Sequence, residues 1–96
     1  MDNLQSRDEV YSAVDSEREY QEKKWGFRGV HELSAYILYM EDYLAQARRL
    51  DSTTDTTDPI NSTAVLNFIR KVTALGVACM EVHGAPKRDL RDLDLN

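Results

Sequence analysis

Three acidic residues stand where they could hold a divalent cation. Glu41 and Asp42 are adjacent in the middle of a predicted helix, and Glu81 lies near the end of another. Magnesium prefers oxygen ligands and is usually held by one or two carboxylates together with substrate phosphates. Adjacent helical positions point about 100° apart, so Glu41 and Asp42 could flank a groove between two helices. Spacing alone favours the simpler interpretation, a pair of solvated acids.

Aromatic and basic residues form a second candidate site. Trp25 is the only tryptophan of the chain and directly follows Lys24. An indole can stack on a nucleobase for about 1–3 kcal/mol, and an adjacent ammonium group can meet a phosphate. The alternative for Trp25 is a hydrophobic plug that locks the first helix onto the second, because Trp is usually highly buried. Tyr36, Tyr39 and Tyr43 likewise suit core-edge packing or, less commonly, a stacking surface.

Cys79 and His83 are four residues apart on one predicted helix, a spacing that suits two ligands of one metal ion. A structural zinc site needs four ligands, and the chain offers only one other histidine, His31, and no second cysteine. A packed thiol and a histidine that complements the helix dipole are therefore favoured. The lone cysteine excludes an internal disulfide and fits a reducing compartment.

Composition indicates one soluble domain without general affinity for nucleic acids. The 96 residues carry a net charge of −5, whereas attraction to a phosphate backbone requires surplus Lys and Arg. The first residues lack the pattern of a secretory signal. The longest uncharged apolar run, residues 72–80, is too short to span a bilayer. We therefore expect a cytoplasmic protein with no membrane partner.

Helical periodicity predicts an all-α fold with three main helices. The first begins near Ser6, which forms a capping-box pattern with Glu9, and ends at Gly26 and Gly29. Its many charges are interpreted as a solvated face. The second helix is predicted over residues 31–50.

Residues 51–58 lack any large apolar side chain, so we expect a mobile loop there. The third helix then begins with Asp58 as N-cap and proline in the first helical position, or one turn later if Ser62 is the N-cap. It ends at His83, before a glycine and a proline. Residues 1–86 thus form one helical domain, followed by a charged tail over residues 87–96.

The composition of the third helix also indicates that copies of the chain assemble. Residues 72–80 are apolar on nearly all sides and mostly small, whereas a helix of a soluble domain usually keeps one polar face. Two other helices cannot comfortably cover such a segment. We therefore expect at least a dimer, with this helix near the interface and Gly76 at a close contact.

The segment 15–26, followed by His31 and by a helix with an acidic pair, resembles the opening of the MazG-type all-α nucleoside triphosphate pyrophosphohydrolases. The resemblance is to small members that are often found in bacteriophages and extends over roughly residues 15–83. The shared element has the pattern E-R-x-x-Q-x-x-K-W-G and consists here of Glu17, Arg18, Gln21, Lys24, Trp25 and Gly26. It implies an oligomeric helical bundle, a phage-encoded protein of the host cytoplasm, and magnesium held by an E-E-x-x-E and an E-x-x-D helix.

The chain departs from that acidic signature. Glu41 and Asp42 match its first two acids, but Ala45 occupies the third position, and Arg70 and Lys71 stand where the second motif should lie. A magnesium site without half of its carboxylates loses affinity and the geometry that orients the attacking water. Basic residues in their place could bind phosphates directly through charge-assisted hydrogen bonds.

Three functions follow as hypotheses. The first is a nucleotide- or phosphometabolite-binding protein of MazG-like fold with weak or no hydrolysis and no required cofactor. Its predicted ligand-binding residues are Lys24, Trp25, Arg70 and Lys71. The second is a magnesium-dependent pyrophosphohydrolase that holds its metal on Glu41, Asp42 and Glu81. The third is an acidic interaction protein that inhibits a host factor by covering a basic surface.

Overall fold

The computed structural model describes residues 4–26 and 31–89, and these residues form three α-helices. Helix α1 spans Arg7–Trp25, α2 spans Leu33–Thr53 and α3 spans Pro59–His83. The predicted all-α fold with three main helices is therefore confirmed. Gly29 and residues 90–96 of the predicted tail lie outside the described residues.

The predicted helix starts are confirmed where the sequence carries a capping signal. The Glu9 amide donates to Ser6 Oγ at 3.1 Å, and the Ser6 amide donates to Glu9 Oε1 at 3.3 Å. At α3, the Ile60 amide donates to Asp58 Oδ1 at 2.9 Å, so the helix begins at Pro59 and Ser62 lies inside it.

Two helices end at a glycine with positive φ, a conformation that costs other residues steric strain. Gly26 follows α1 with a φ of 75°, and Gly84 follows α3 with a φ of 120°. The predicted ends of α1 at Gly26 and of α3 at His83 are thus confirmed.

Helix α2 differs from its prediction at both ends. It begins two residues later, at Leu33, after Glu32, whose side chain makes no capping hydrogen bond. It also continues to Thr53, beyond the predicted end at residue 50. The Thr53 hydroxyl donates to the Arg49 carbonyl oxygen at 2.7 Å. This polar residue therefore forms a hydrogen bond within the last turn of the helix.

The connection between α2 and α3 is organised around Asp55. Thr57 donates to Asp55 Oδ1 from its amide at 3.0 Å and from its hydroxyl at 2.6 Å. These hydrogen bonds, that of the hydroxyl first, lower the pKa of Asp55 below its usual value. Asn61 Nδ2 also donates to the Asp55 carbonyl oxygen, at 2.9 Å. The segment is a hydrogen-bonded turn, and its mobility stays a prediction.

Helix α3 is the centre of the fold. Among the described residues, α1 and α2 both pack on α3 and not on each other. The ring contacts of Tyr36 with His83 and of Tyr43 with Phe68 show that α2 runs antiparallel to α3. The buried side chains of α3 are small apart from Leu75, which is fully buried; they are Ala74, Leu75, Ala78 and Cys79.

By length and composition alone, α3 as a whole is apolar enough to cross a membrane, although the uncharged run 72–80 is too short to do so. Helix α3 lies between α1 and α2, but only 22% of this apolar window is buried within the chain, so packing inside one protomer accounts for only part of the composition. At Gly76, a Cβ atom would lie 3.8 Å from Met40 Sδ of α2, an ordinary van der Waals distance, so packing within the chain does not require glycine at this position. The predicted close contact of Gly76 in an assembly stays a prediction.

Candidate functional site

A cleft opens between α1 and α2, with α3 beneath it. It has an inner part of about 60 Å³ and an outer part of about 400 Å³, which share Lys24, Trp25 and Tyr43. We call it the α1–α2 cleft. The residues that line it are Glu17, Tyr20, Gln21, Lys24, Trp25, His31, Tyr39, Tyr43 and Lys71. Residues three and four positions apart share one face of a helix, which is why Glu17, Gln21 and Lys24 of α1 face the same cleft.

Two lysines give the cleft positive charge at its walls. Lys24 comes from α1 and Lys71 from α3. The Lys71 Nζ atom lies 5.5 Å from the ring centroid of Tyr43 and 5.1 Å from that of Phe68. An ammonium group over aromatic faces is attracted by the ring quadrupole, so this cation is held beside Tyr43, which also lines the cleft.

Aromatic rings form much of the remaining wall. Trp25 keeps 38% of its surface exposed, and its ring meets His31 edge-on at 6.2 Å. The His31 ring in turn meets Tyr39 at 5.3 Å. An indole with this exposure leaves part of its surface free for a planar ligand. Its role as a stacking wall or as a hydrophobic plug stays a prediction.

The cleft floor carries a polar group without a partner. Gln21 is 3% exposed, and its Nε2 atom donates to the Lys71 carbonyl oxygen at 3.4 Å. Within the described part of the chain, Gln21 Oε1 is buried and has no hydrogen-bond partner. The opposite orientation of the amide would set its oxygen against the Lys71 carbonyl oxygen, so the acceptor is the atom that stays unpaired.

Arg70, a predicted ligand residue, is engaged in an ion pair. Its Nε atom donates to Glu17 Oε1 at 2.8 Å, and its Nη1 atom donates to Asn67 Oδ1 at 2.7 Å. The Glu17 side chain is only 7% exposed, against 36% for Arg70. Arg70 thus neutralises a buried carboxylate and does not line the α1–α2 cleft. The interpretation of the α1 charges as a solvated face is wrong for Glu17.

The predicted metal ligands stand apart from the cleft lining. Glu41 and Asp42 are exposed on α2. Both carboxylate oxygens of Glu81 accept from Arg18, from Nε at 2.9 Å and from Nη2 at 3.2 Å. That hydrogen bonding lowers the pKa of Glu81 and raises the pKa of Arg18. A metal site that includes Glu81 stays a prediction, and it would require Glu81 to leave Arg18.

The described residues contain no group of three His, Cys, Asp or Glu side chains arranged to hold a metal ion. Cys79 is a buried thiol. His83 Nε2 lies 2.9 Å from the His31 carbonyl oxygen, a contact that ties the end of α3 to the segment before α2.

Of the four predicted ligand residues, the fold brings Lys24, Trp25 and Lys71 to one cleft. Gln21 and Glu17 were not singled out as site residues, although their spacing from Lys24 on one helix was the signal that could have grouped them. Comparisons with protein-family models, with curated proteins and with solved structures returned no match.

Proposed function

We propose that the protein binds a nucleotide or a similar phosphorylated small molecule in the α1–α2 cleft. The observation that carries the proposal is the convergence of two lysines and an exposed indole on one concavity. Phosphate oxygens accept strong hydrogen bonds from ammonium groups, and a base stacks on an aromatic face. Lys24, Trp25 and Lys71 supply both kinds of contact.

Weak or no hydrolysis is part of this proposal. Magnesium-dependent hydrolysis requires several carboxylates, whereas Glu17, the carboxylate among the described cleft residues, is paired with Arg70, and Glu81 is held by Arg18. The MazG-like resemblance supplies the proposed setting, a phage-encoded protein that sequesters a nucleotide in the host cytoplasm.

Incubation of nucleoside triphosphates with the protein and magnesium tests the enzymatic alternative. Pyrophosphate release that is lost in Glu41→Ala would overturn the non-catalytic assignment.

The variants Lys24→Met and Lys71→Met should each weaken nucleotide binding about tenfold. A hydrogen bond to a charged group contributes about 1.5–3 kcal/mol, and the lower end applies to lysines that stay in contact with water. Lys23→Met is the matched control because Lys23 is exposed on α1 and lies outside the cleft. Titration calorimetry with ATP and GTP in the presence of EDTA measures the three affinities.

Equal affinities of Lys23→Met, Lys24→Met and Lys71→Met would contradict the assignment of the cleft.

The fluorescence of Trp25 gives an independent readout, since stacking of a base on the only indole changes its emission. If saturating nucleotide leaves both emission wavelength and intensity unchanged, the stacking role must be dropped. If no nucleotide raises the melting temperature of the protein, the acidic interaction protein becomes the better hypothesis.

We also propose that two copies of the chain associate. The radius of gyration is 15.3 Å, whereas a compact chain of this length has about 13 Å. An apolar groove runs between the first half of α1 and α3. Val10, Leu66 and Ile69 line this groove with exposed fractions of 47%, 61% and 38%. A second copy would bury these side chains, which a small monomer leaves in water.

Leu66→Glu should convert the assembly into monomers, since a charge in an apolar interface is costly to desolvate. Leu38→Glu is the control: Leu38 has the same exposed fraction, 61%, but lies on α2 outside the groove. Light scattering at micromolar concentration gives the mass of each protein. A monomeric mass for the unaltered chain would refute the assembly, and an unchanged mass for Leu66→Glu would place the interface elsewhere.

A further inference from the structure

We infer that the α1–α2 cleft selects ligands whose planar ring carries an amino group, and that Gln21 Oε1 is the acceptor that recognises this group. The inference rests on the proposed nucleotide binding and deepens it. Its basis is the buried amide of Gln21, which lines the inner part of the cleft and is the described side chain with an unpaired buried oxygen.

A buried acceptor without a donor is unfavourable, because it has lost its hydration and gained no hydrogen bond. Gln21 cannot relieve this by rotating its amide, since Nε2 faces the Lys71 carbonyl oxygen. Nor is the Lys71 ammonium group the obvious donor, because it lies over the rings of Tyr43 and Phe68. A donor to Gln21 Oε1 therefore comes from the cleft side, either on a bound ligand or as a water molecule.

The neighbouring floor group is also an acceptor. Glu17 lies one helical turn before Gln21, lines the same inner part of the cleft and is buried. An ionised carboxylate can only accept hydrogen bonds, and one of its oxygens already accepts from Arg70. The floor therefore offers acceptors to a ligand, which favours donors on the ligand's inner edge.

Nucleobases differ in this respect. Cytosine, adenine and guanine carry an exocyclic amino group, whereas uracil presents a carbonyl oxygen in the corresponding place and hypoxanthine lacks the 2-amino group of guanine. A carbonyl oxygen directed at Gln21 Oε1 would set two acceptors against each other. With the base between the aromatic walls and its amino group on Gln21, the phosphates extend toward Lys24, which lines both parts of the cleft, and Lys71, which lines the inner part.

Two matched nucleotide pairs test the inference. CTP and UTP differ at one exocyclic position of the ring and the neighbouring ring nitrogen, and GTP and ITP differ only in the 2-amino group. Titration calorimetry in EDTA should show tighter binding of the amino-bearing member in at least one pair. We expect the affinities within such a pair to differ by roughly fivefold to tenfold. This is the effect of losing one neutral hydrogen bond when the loss leaves a buried acceptor unpaired.

Gln21→Met should abolish this preference, because methionine has a similar length and shape but no oxygen acceptor. Its ligand-free form should melt at the same temperature as the unaltered protein or higher, since the unpaired acceptor is gone. Gln46→Met is the control: Gln46 lies on α2 and does not line the cleft. It should retain the preference.

The outcomes separate this inference from the proposed function. Binding of all four nucleotides without any preference would overturn the role of Gln21 and leave nucleotide binding intact, with water as the donor to Oε1. A preference that persists in Gln21→Met would also overturn it. Failure of all four nucleotides to bind would overturn both proposals. If Gln21→Met does not fold, the comparison within the two pairs on the unaltered protein still decides the inference.

Discussion

Replacing Leu75 with alanine should lower the free energy of unfolding by about 2–5 kcal/mol. Leu75 is fully buried in α3, where it packs in one cluster with Tyr36, Ala78 and Cys79. Truncation removes the transfer free energy of the lost methyl groups and leaves a cavity that helical neighbours fill only in part. Small domains have about 5–15 kcal/mol of stability, so this single change removes a large part of it.

Urea denaturation followed by circular dichroism measures the effect, at one protein concentration because assembly would couple stability to concentration. Leu38→Ala is the matched control, since Leu38 is 61% exposed and surface substitutions usually change stability by less than about 0.5 kcal/mol. Similar losses for both variants would show that α3 is not the core helix.

The parts of the fold that depend on local chemistry could be predicted from the sequence. Ser6 and Asp58 cap the helices that they precede, and Gly26 ends α1 with a positive φ. These signals act within one turn of backbone. The start of α2 carries no such signal, because the side chain of Glu32 makes no capping hydrogen bond, and there the predicted boundary was wrong by two residues.

The candidate site could be predicted only in part, because its pairings depend on how α1 crosses α3. Glu17 and Arg70 are separated by 53 residues in sequence, and Arg18 and Glu81 by 63. On α1 alone, these charges look like a solvated face, and no periodicity identifies which of them is buried. Lys24 and Trp25 are adjacent in sequence, so their presence in one cleft could be expected without any knowledge of the helix crossing. Their role in ligand binding stays a prediction.

Arg70→Met should destabilise the protein by about 3 kcal/mol, the lower end of the cost of breaking a buried ion pair. The lower end applies because 36% of the Arg70 side chain is exposed. The cost arises from Glu17, whose carboxylate is left in a site that is only 7% exposed, without its guanidinium partner. Arg48→Met is the control, since Arg48 is exposed on α2. Equal stability of the two variants would contradict the structural role of Arg70.

A double variant separates the value of the pair from the cost of an unpaired charge. Combining Arg70→Met with Glu17→Leu removes both charges, and apolar replacements of a buried ion pair are often neutral in stability. We therefore expect the double variant to regain most of the stability that Arg70→Met loses. The nucleotide affinity of Arg70→Met, measured at a temperature where the variant is folded, decides between the two roles considered for Arg70. If Arg70 binds the ligand, its replacement lowers the affinity. If Arg70 is purely structural, its replacement leaves the affinity unchanged. Because Arg70 donates to Glu17 and Asn67 and not into the α1–α2 cleft, we expect unchanged affinity.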